Sequence, residues 1–344
     1  MASCTLRNGV IVSEKSKPYI IAEVNTSHNG KMDVAKEMIN SARDAGCDCV
    51  KFQSFSPESI NSKSFYMENP MAKRFFDRFS FSEESQIELA EHCRAQGIDF
   101  ASTPYSKYEV DFLLEKCNVP FIKVASMEIN NYMYLEYIAN TGAPIVLSTG
   151  MADMCEVEKA VEIVKKSGNK NLCLLHCISI YPPEISTIRL KNIVGLKEKY
   201  PEYPIGFSDH SLGIEMAPAA VALGASVVEK HLTLDNTKIG MDNQMALMPD
   251  EMSQLVKNCQ NVHLALGSME RVVLEAETNQ RQKMRRSIVA ARELKKGAVL
   301  SLNDLDVKRP GTGIPPDKID WLIGKTIIKD IECDTLITED CIKI

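Results

Sequence analysis

The chain has 344 residues, a net charge of −6 and an isoelectric point near 5.7. This acidic balance excludes the basic surface of a nucleic-acid-binding protein, so any small anion must be bound by a local site. No apolar run approaches the roughly 20 residues that span a bilayer, and the first ten residues lack a signal peptide's apolar core. The eleven cysteines form no CxxC pair, which is typical of buried, reduced thiols. We therefore predict a cytoplasmic protein that binds neither nucleic acid nor membrane.

Short apolar segments alternate with longer amphipathic segments between Tyr19 and Leu232. Most of the short segments are continuously apolar, as expected of parallel strands that are buried on both faces. We predict eight such strands, at residues 19–24, 47–53, 99–104, 121–126, 144–150, 172–178, 205–210 and 226–232.

The segments between these strands are predicted to be helices. Apolar residues recur with helical spacing from Met32 to Ala45, and Gly46 ends the run. Similar patterns cover residues 216–225 and 249–267. Strand–helix alternation repeated eight times predicts an α/β fold, a (β/α)8 TIM barrel, with an open doubly wound sheet as the alternative.

Residues 54–98 are too long for a simple connection between a strand and a helix. They contain the aromatic stretch SFYMENPMAKRFFDRFSFSEES. A long insertion after a barrel strand belongs at the mouth of the barrel, where substrates bind. The alternative is an extra helix packed on the rim.

The sequence pattern changes at about Arg285, where short apolar strands and frequent turn residues begin. The segments KKGAVLSLNDL and IECDTLITEDCI form a weak internal repeat. We predict a barrel domain at residues 1–277, a polar linker at 278–284 and a small β-rich domain at 285–344. A domain of this size buries little core, so we expect it to dock on another surface.

Polar side chains lie at the end of every predicted barrel strand. Burying a polar group inside a barrel costs free energy unless the group is paired or binds a ligand. TIM-barrel active sites lie at this end of the strands. Lys51 and Lys123 would suit a small phosphorylated carboxylate, because lysine supplies charge and neighbouring hydroxyls donate to phosphate oxygens. The hydroxyl residues are Thr103, Ser126, Ser148, Ser179 and Ser208. The alternative for each is a hydroxyl bonded to a nearby backbone carbonyl.

Two histidines, His210 and His231, end the neighbouring seventh and eighth strands. Two neutral imidazoles leave room for water and substrate on a divalent ion such as Mn²⁺, and Glu23 could complete the set across the barrel. Glu23 and Glu128 are the candidate catalytic carboxylates. One could orient a water or bind the metal, and the other could hydrogen-bond a polyol. A helix-capping or ion-pair role is the alternative for each.

These residues lie in segments that resemble the sialic acid synthase family, which includes N-acetylneuraminate synthase and the legionaminic and pseudaminic acid synthases. The resemblance extends from about Tyr19 to the C-terminus. It is carried in order by IIAEVNTSHNG, VKFQ, STPYS, KVASMEINNY, LSTGM, LHCISIYP, IGFSDHSLG, VALGASVVEKHLTLD and KRPGTGIPP. The tail resembles the antifreeze-like (SAF, β-clip) domain attached to these synthases.

The resemblance implies a TIM barrel and an antifreeze-like domain in a domain-swapped homodimer. It implies that Lys51, Lys123 and the five hydroxyl residues bind phosphoenolpyruvate. It implies that His210 and His231 bind a divalent metal, with Mn²⁺ first and Mg²⁺ or Co²⁺ as alternatives. Glu23 would act on the water or the intermediate. The residues implied near the amino sugar are Glu128, Tyr181, Asp242 and Arg309 of the partner subunit.

The reaction implied by the resemblance is condensation of phosphoenolpyruvate with an N-acyl amino sugar and water, with C–O cleavage and release of phosphate. N-acetylmannosamine is the first choice. The alternative is 2,4-diacetamido-2,4,6-trideoxymannose, giving legionaminic acid, because the loop 240–246 and the insertion 54–98 depart from the family pattern. Ser179 also stands where some members have asparagine.

Two other classes of function remain as alternatives. A Schiff-base aldolase would use Lys123 or Lys51 as its nucleophile and would need no metal. A non-catalytic carbohydrate-binding or ice-binding protein is suggested by the antifreeze-like tail alone.

Overall fold

The structure, a computed structural model, describes residues 2–238 and 241–343. It divides into two units, residues 1–267 and residues 268–344. The first unit contains the predicted barrel strands, and the second contains the β-rich C-terminal segment.

All eight predicted barrel strands are present, preceded by a short antiparallel hairpin of β1 (Ser3–Thr5) and β2 (Ile11–Ser13). The barrel strands are β3 (Tyr19–Glu23), β4 (Cys49–Ser54), β5 (Asp99–Pro104), β6 (Ile122–Val124), β7 (Ile145–Ser148), β8 (Leu172–Cys177), β9 (Ile205–Asp209) and β10 (Val227–His231).

The eight strands form one parallel sheet in the order β5-β4-β3-β10-β9-β8-β7-β6. The first and last barrel strands pair directly, with Glu23 opposite His231. The two end strands, β5 and β6, also lie side by side, which closes the circle. An open doubly wound sheet would not pair its first strand with its last, so that alternative is wrong and the TIM barrel is confirmed.

Helices follow the strands as the sequence predicts. In the first unit they are α1 (Met32–Asp44), α2 (Pro57–Ile60), α3 (Lys63–Glu68), α4 (Pro70–Phe79), α5 (Glu83–Gln96), α6 (Lys107–Phe112), α7 (Tyr132–Asn140), α8 (Met154–Lys166), α9 (Lys191–Lys199), α10 (Met216–Ala222) and α11 (Pro249–Leu266). Across residues 2–238 and 241–343, none of the helices combines the length and apolar character needed to cross a bilayer.

Alternation along the strands divides the barrel into two layers. Ile20 and Ala22 face the surrounding helices, whereas Tyr19 and Ile21 face inward. The amino-terminal half of the interior is apolar and includes the fully buried Phe121. The β1–β2 hairpin packs Cys4, Leu6 and Val12 against this layer. The amino-terminal end of the barrel is therefore filled, and polar side chains are confined to the other end.

The insertion at residues 54–98 consists of the short helices α2–α4 followed by α5. Its aromatic side chains pack against one another: Phe55 and Tyr66 each contact Phe76, and Phe75 contacts Phe79. The aromatic side chains of α3 and α4 thus pack on one another at the surface, where Phe79 is buried and Phe65 is 39% exposed.

The second unit contains α12 (Glu275–Met284), β11 (Ser287–Ala290), β12 (Leu305–Lys308), α13 (Ile319–Leu322), β13 (Thr326–Ile327) and β14 (Ile342–Lys343). The two halves of the sequence repeat fold alike. In each, a turn leads to a 3₁₀ turn, Leu302–Asp304 or Glu339–Cys341, which is followed by β12 or β14. Residues 278–284, predicted as a linker, lie within α12.

His28, in the loop after β3, is buried, and its surroundings keep the imidazole ring uncharged. Its Nδ1 accepts a hydrogen bond from the Gly30 N–H at 3.0 Å, and its ring stacks on Phe81 with centroids 4.4 Å apart. Burial lowers the pKa of His28 to about 4. In the unfolded chain this histidine takes up a proton near pH 6.5, whereas the folded protein excludes that proton until about pH 4.

We therefore expect His28 to contribute roughly 3 kcal/mol of stability at pH 7 that is lost as the pH falls from about 6.5 to 4. The variant His28→Gln keeps an acceptor for Gly30 but does not titrate. Urea unfolding at pH 7 and pH 4.5 should show a smaller pH dependence in the variant than in the wild type. Equal dependence in the two proteins would contradict the assignment.

Candidate active site

A narrow cavity of about 90 Å³ lies at the carboxyl ends of the barrel strands. Every side chain lining it belongs to the first unit. The cavity is lined by Glu23, Lys51, Gln53, Thr103, Tyr105, Lys123, Ala125, Ser126, Met127, Ser148, Met151, Cys177, Ser179, Tyr181, Ser208, His210, Glu229, His231 and Asp242.

Two lysine ammonium groups form the cationic side of this cavity. Lys51 Nζ donates to Thr103 Oγ1 at 3.0 Å, and Lys123 Nζ donates to Ser148 Oγ at 2.8 Å. Both lysine side chains are no more than 4% exposed. Burial lowers the pKa of Lys123, whereas at Lys51 the neighbouring Glu229 and Glu23 outweigh burial and raise the pKa. Because these buried cations retain donors, the arrangement can bind a small anion.

Two buried carboxylates face the lysines. Glu23 contacts Lys51, and Glu229 lies between the two ammonium groups, 3.8 Å from Lys51 Nζ and 4.0 Å from Lys123 Nζ. Burial raises the pKa of Glu23 above its ordinary value. Burial also raises the pKa of Glu229, but Lys123 and Lys51 outweigh that effect and lower it. Two carboxyl groups with opposite shifts are suited to different proton-transfer roles.

Hydroxyl groups and one thiol surround Gly150 on the opposite wall. Ser126 Oγ accepts from the Gly150 N–H at 3.1 Å, and Cys177 Sγ lies 3.6 Å from Ser126 Oγ and 3.7 Å from Ser179 Oγ. A Cβ atom at position 150 would come within 2.3 Å of Ser179 Oγ and 2.7 Å of Ser126 Oγ. Only glycine lets these hydroxyls approach the backbone so closely.

The two histidines lie together in the cavity wall, with ring centroids 5.4 Å apart, and both are buried. His210 Nδ1 donates to the Ile178 carbonyl at 2.8 Å, so in the neutral ring Nε2 carries the lone pair. Burial lowers the pKa of His210, but the Cys177 sulfur and the Ile178 carbonyl outweigh this and raise it. Burial lowers the pKa of His231 well below its ordinary value, so this ring is neutral. Asp242 Oδ2 lies 3.9 Å from His231 Nδ1.

The cavity brings together all the predicted site residues except Glu128 and Arg309. Glu128 is half-buried in a 3₁₀ turn, where Asn131 Nδ2 donates to its Oε2 at 2.8 Å. Arg309 belongs to the second unit, directly after β12. Of the loop 240–246, Gly240 lies outside the described residues, whereas Asp242 lines the cavity. The insertion 54–98, fully described, contributes no lining residue.

Sequence reasoning gave Glu229 no role, although it lies in the middle of the site. Its Oε2 atom is buried and has no hydrogen-bond partner among the described residues. The sequence does indicate that Glu229 faces the cavity, because it is two positions before His231 on one strand and alternate residues of a strand face the same side. Tyr105, Gln53 and Cys177 also line the cavity without having been predicted.

Gly150→Ala should weaken anion binding, because the added methyl group displaces the hydroxyls of Ser126 and Ser179. We expect the affinity for phosphoenolpyruvate, measured by calorimetry, to fall about tenfold, which corresponds to loss of roughly one hydrogen bond. Gly195→Ala on α9 is the matched control, since nothing lies within 4 Å of its added Cβ. Equal affinities in the two variants would argue against an anion site beside Gly150.

The chain matches two family models: the NeuB family over residues 38–271 and the SAF domain over residues 285–343. It is 36% identical to the N,N'-diacetyllegionaminic acid synthase of Legionella pneumophila, over 92% of each chain. It is 37% identical to the N-acetylneuraminate-9-phosphate synthase of Homo sapiens, over 94% of this chain and 92% of that one.

Among solved structures, the fold is similar to that of an N-acetylneuraminic acid (sialic acid) synthetase from Leptospira borgpetersenii in complex with citrate. The TM-score is 0.74 at 34% identity, covering 81% of this chain and 94% of that chain. The family model covers more than half of the chain, and the relatives match nearly its whole length. The chain therefore belongs to the NeuB family, the sialic acid synthases that its strand-end motifs resemble, and carries a SAF domain at its C-terminal end.

Proposed function

We propose that the protein condenses phosphoenolpyruvate with an N-acyl amino sugar and water to give a nonulosonic acid and phosphate, with N-acetylmannosamine as the preferred sugar. The observation that carries the proposal is the meeting, in one cavity, of two buried lysines with a pair of histidines. The first pair suits a compact anion, and the second suits a metal ion beside it. The names of the relatives support the same class of reaction.

Phosphoenolpyruvate is the substrate we assign to the lysine side of the cavity. Its phosphate and carboxylate would be held by Lys51 and Lys123, with Thr103 and Ser148 already hydrogen-bonded to those ammonium groups. Ser126, Ser179 and Ser208 would supply further donors. Fixed positive charge in a buried site stabilises the negative charge that develops as phosphate departs.

A divalent cation is the cofactor we assign to His210 and His231, with Mn²⁺ first and Mg²⁺ or Co²⁺ as alternatives. The donors fit, because His231 is neutral and His210 directs Nε2 away from its carbonyl partner. Among the described residues, no group of three or more His, Cys, Asp or Glu side chains is arranged so that it could hold a metal ion. The protein would thus supply two imidazoles and leave other positions to water and sugar. A cation bound there supplies Lewis acidity to the sugar aldehyde.

The proposed reaction then consists of formation of a carbon–carbon bond, addition of water and release of phosphate. C3 of phosphoenolpyruvate bonds to the aldehyde carbon as its C=C bond and the aldehyde C=O bond become single bonds. Water adds to C2, and the C–O bond to phosphate breaks to leave a C2 ketone. One proton of the water ends on the former aldehyde oxygen and the other leaves with phosphate. Glu23, held by the Asn25 N–H at 2.9 Å, is the group we assign to orient that water and take its proton. Glu128, Tyr181 and Asp242 would hold the hydroxyls of the open-chain sugar.

The homodimer remains a prediction that rests on the family resemblance. In it Arg309 of the partner subunit would reach the N-acyl group of the sugar. Deletion of residues 285–344 should then abolish catalysis while the barrel stays folded, and a fully active truncated protein would exclude this role.

A second sugar is favoured by one feature of the cavity lining. Met127 and Met151 line it and are 58% and 68% exposed. Such apolar, adaptable side chains would accept the methyl group of a 6-deoxy sugar. The candidate is 2,4-diacetamido-2,4,6-trideoxymannose, which would give legionaminic acid.

Removal of the metal should abolish the reaction. We expect phosphate release from phosphoenolpyruvate with Mn²⁺ and one of the two sugars, and a loss of at least about 100-fold in EDTA, since Lewis-acid catalysis supplies several kcal/mol. His210→Ala should behave like EDTA treatment. His92→Ala on α5, outside the cavity, is the matched control and should keep wild-type activity.

The two sugars are offered side by side in this assay. Release with only N-acetylmannosamine supports the first choice, and release with only the 2,4-diacetamido sugar supports the second. Activity that persists in EDTA, together with trapping of Lys123 or Lys51 by borohydride, would support the Schiff-base alternative instead. No release with either sugar would overturn the proposed function.

A further inference from the structure

A second buried ion pair lies directly behind the two histidines, outside the cavity. Lys230 Nζ donates to Asp209 Oδ2 at 2.9 Å, and the two side chains are 1% and 0% exposed. Neither side chain lines the cavity. The pair therefore does not touch a ligand, yet it is among the most deeply buried charges described.

The register of β9 and β10 places this pair between two functional pairs. Ser208 lies opposite Glu229, and Asp209 lies opposite Lys230. Side chains alternate along parallel strands, so Ser208 and Glu229 face the cavity, whereas the next pair faces the helices. The positions that follow, His210 and His231, face the cavity again and bring their rings within 5.4 Å.

Hydrogen bonds join this pair to Ser211, so the residues on both sides of His210 are held in place. Asp209 Oδ1 accepts from the Ser211 N–H at 2.9 Å and from Ser211 Oγ at 2.7 Å. Lys230 Nζ also donates to the Ser211 carbonyl at 2.5 Å. The residues before and after His210 are thus both fixed, and the residue before His231 is fixed to the same carboxylate.

Burying the Asp209–Lys230 ion pair costs desolvation free energy, so we ask what the pair provides in return, and fixed strand geometry is the candidate. Two apolar residues of similar volume often stabilise a core as well as a buried ion pair does, because desolvation offsets the attraction. An ion pair with several hydrogen bonds, however, allows only one relative position of the two strands. Groups that orient metal ligands without supplying them tune the affinity of a metal site. Here the orientation would pass through the backbone next to His210 and His231.

We propose that the buried Asp209–Lys230 pair is a positioning element that sets the distance and orientation of the His210 and His231 imidazoles, and thereby the affinity of the site for a divalent cation. This inference rests on the metal site of the proposed function. Asp209, Lys230 and Ser211 are positioning residues and take no part in the chemistry.

The test uses the full-length protein and Mn²⁺ alone, titrated by calorimetry without substrates. The double variant Asp209→Asn/Lys230→Met removes both charges while keeping similar volumes, so no unpaired charge is buried. We expect it to fold and to bind Mn²⁺ up to about 10-fold more weakly, the lower end of the effect of losing a group bonded to a metal ligand, because here the support acts through the backbone. Its affinity for phosphoenolpyruvate should change much less, whereas a general loss of packing would lower both affinities alike.

A control at the surface removes another lysine–aspartate pair with the same N–O distance, whose side chains are 52% and 23% exposed. Lys17 Nζ and Asp48 Oδ1 are also 2.9 Å apart but lie at the amino-terminal end of the barrel strands. Lys17→Met/Asp48→Asn should bind Mn²⁺ as the wild type does. Ser211→Ala, which removes one donor to Asp209 and keeps the ion pair, is a milder variant should the double variant not fold. It should weaken Mn²⁺ binding by a smaller factor.

The outcomes separate this inference from the proposed function. Wild-type binding of Mn²⁺ that is lost in His210→Ala but unchanged in the folded double variant, or in Ser211→Ala, overturns the positioning role and leaves the metal site standing. A wild-type protein that binds no Mn²⁺ overturns both. Weaker Mn²⁺ binding with nearly unchanged phosphoenolpyruvate binding supports the role.

Discussion

The structure depends on the burial of opposite charges inside a closed barrel. Lys51, Lys123, Glu23 and Glu229 come from four different strands, and each is at most 5% exposed. Any one of these charges, buried alone, would cost several kcal/mol. They are tolerable only together, and they meet only when the sheet closes with β3 beside β10. The pairing of the first and last strands therefore also assembles this group of paired charges.

Alternation explains why so much of this could be predicted. Strands buried on both faces have continuous apolar runs, which made all eight recognisable. Polar residues at the ends of such runs have few structural uses, so Lys51, Thr103 and His231 stood out as site candidates although they are far apart in sequence. The parallel fold then brings every strand's carboxyl end to one place. The sequence alone left an open doubly wound sheet as the alternative, and the pairing of β3 with β10 excludes it.

The structure adds three features that were not predicted from the sequence, each for a specific physical reason. Glu229 and Lys230 are adjacent charged residues, and only the pleat of the strand decides that the first faces the cavity and the second the helices. The sequence of α12 is polar on all sides and buries no residue, so it has no apolar stripe by which a helix could be recognised. Glu128 lies in a short 3₁₀ turn, where no regular period relates one side chain to the next.

The filled amino-terminal end of the barrel has a consequence for the order of events. Apolar side chains and the β1–β2 hairpin close that end, so a ligand reaches the lysines from the carboxyl ends of the strands, where the lining residues Met127, Met151 and Tyr181 are 58%, 68% and 49% exposed. A molecule bound at the lysines, which are 3% exposed, is covered by whatever binds above it. In the part of the chain that the structure describes, the cavity is thus closed at one end, so of two molecules that share it, the one at the lysines would have to enter first.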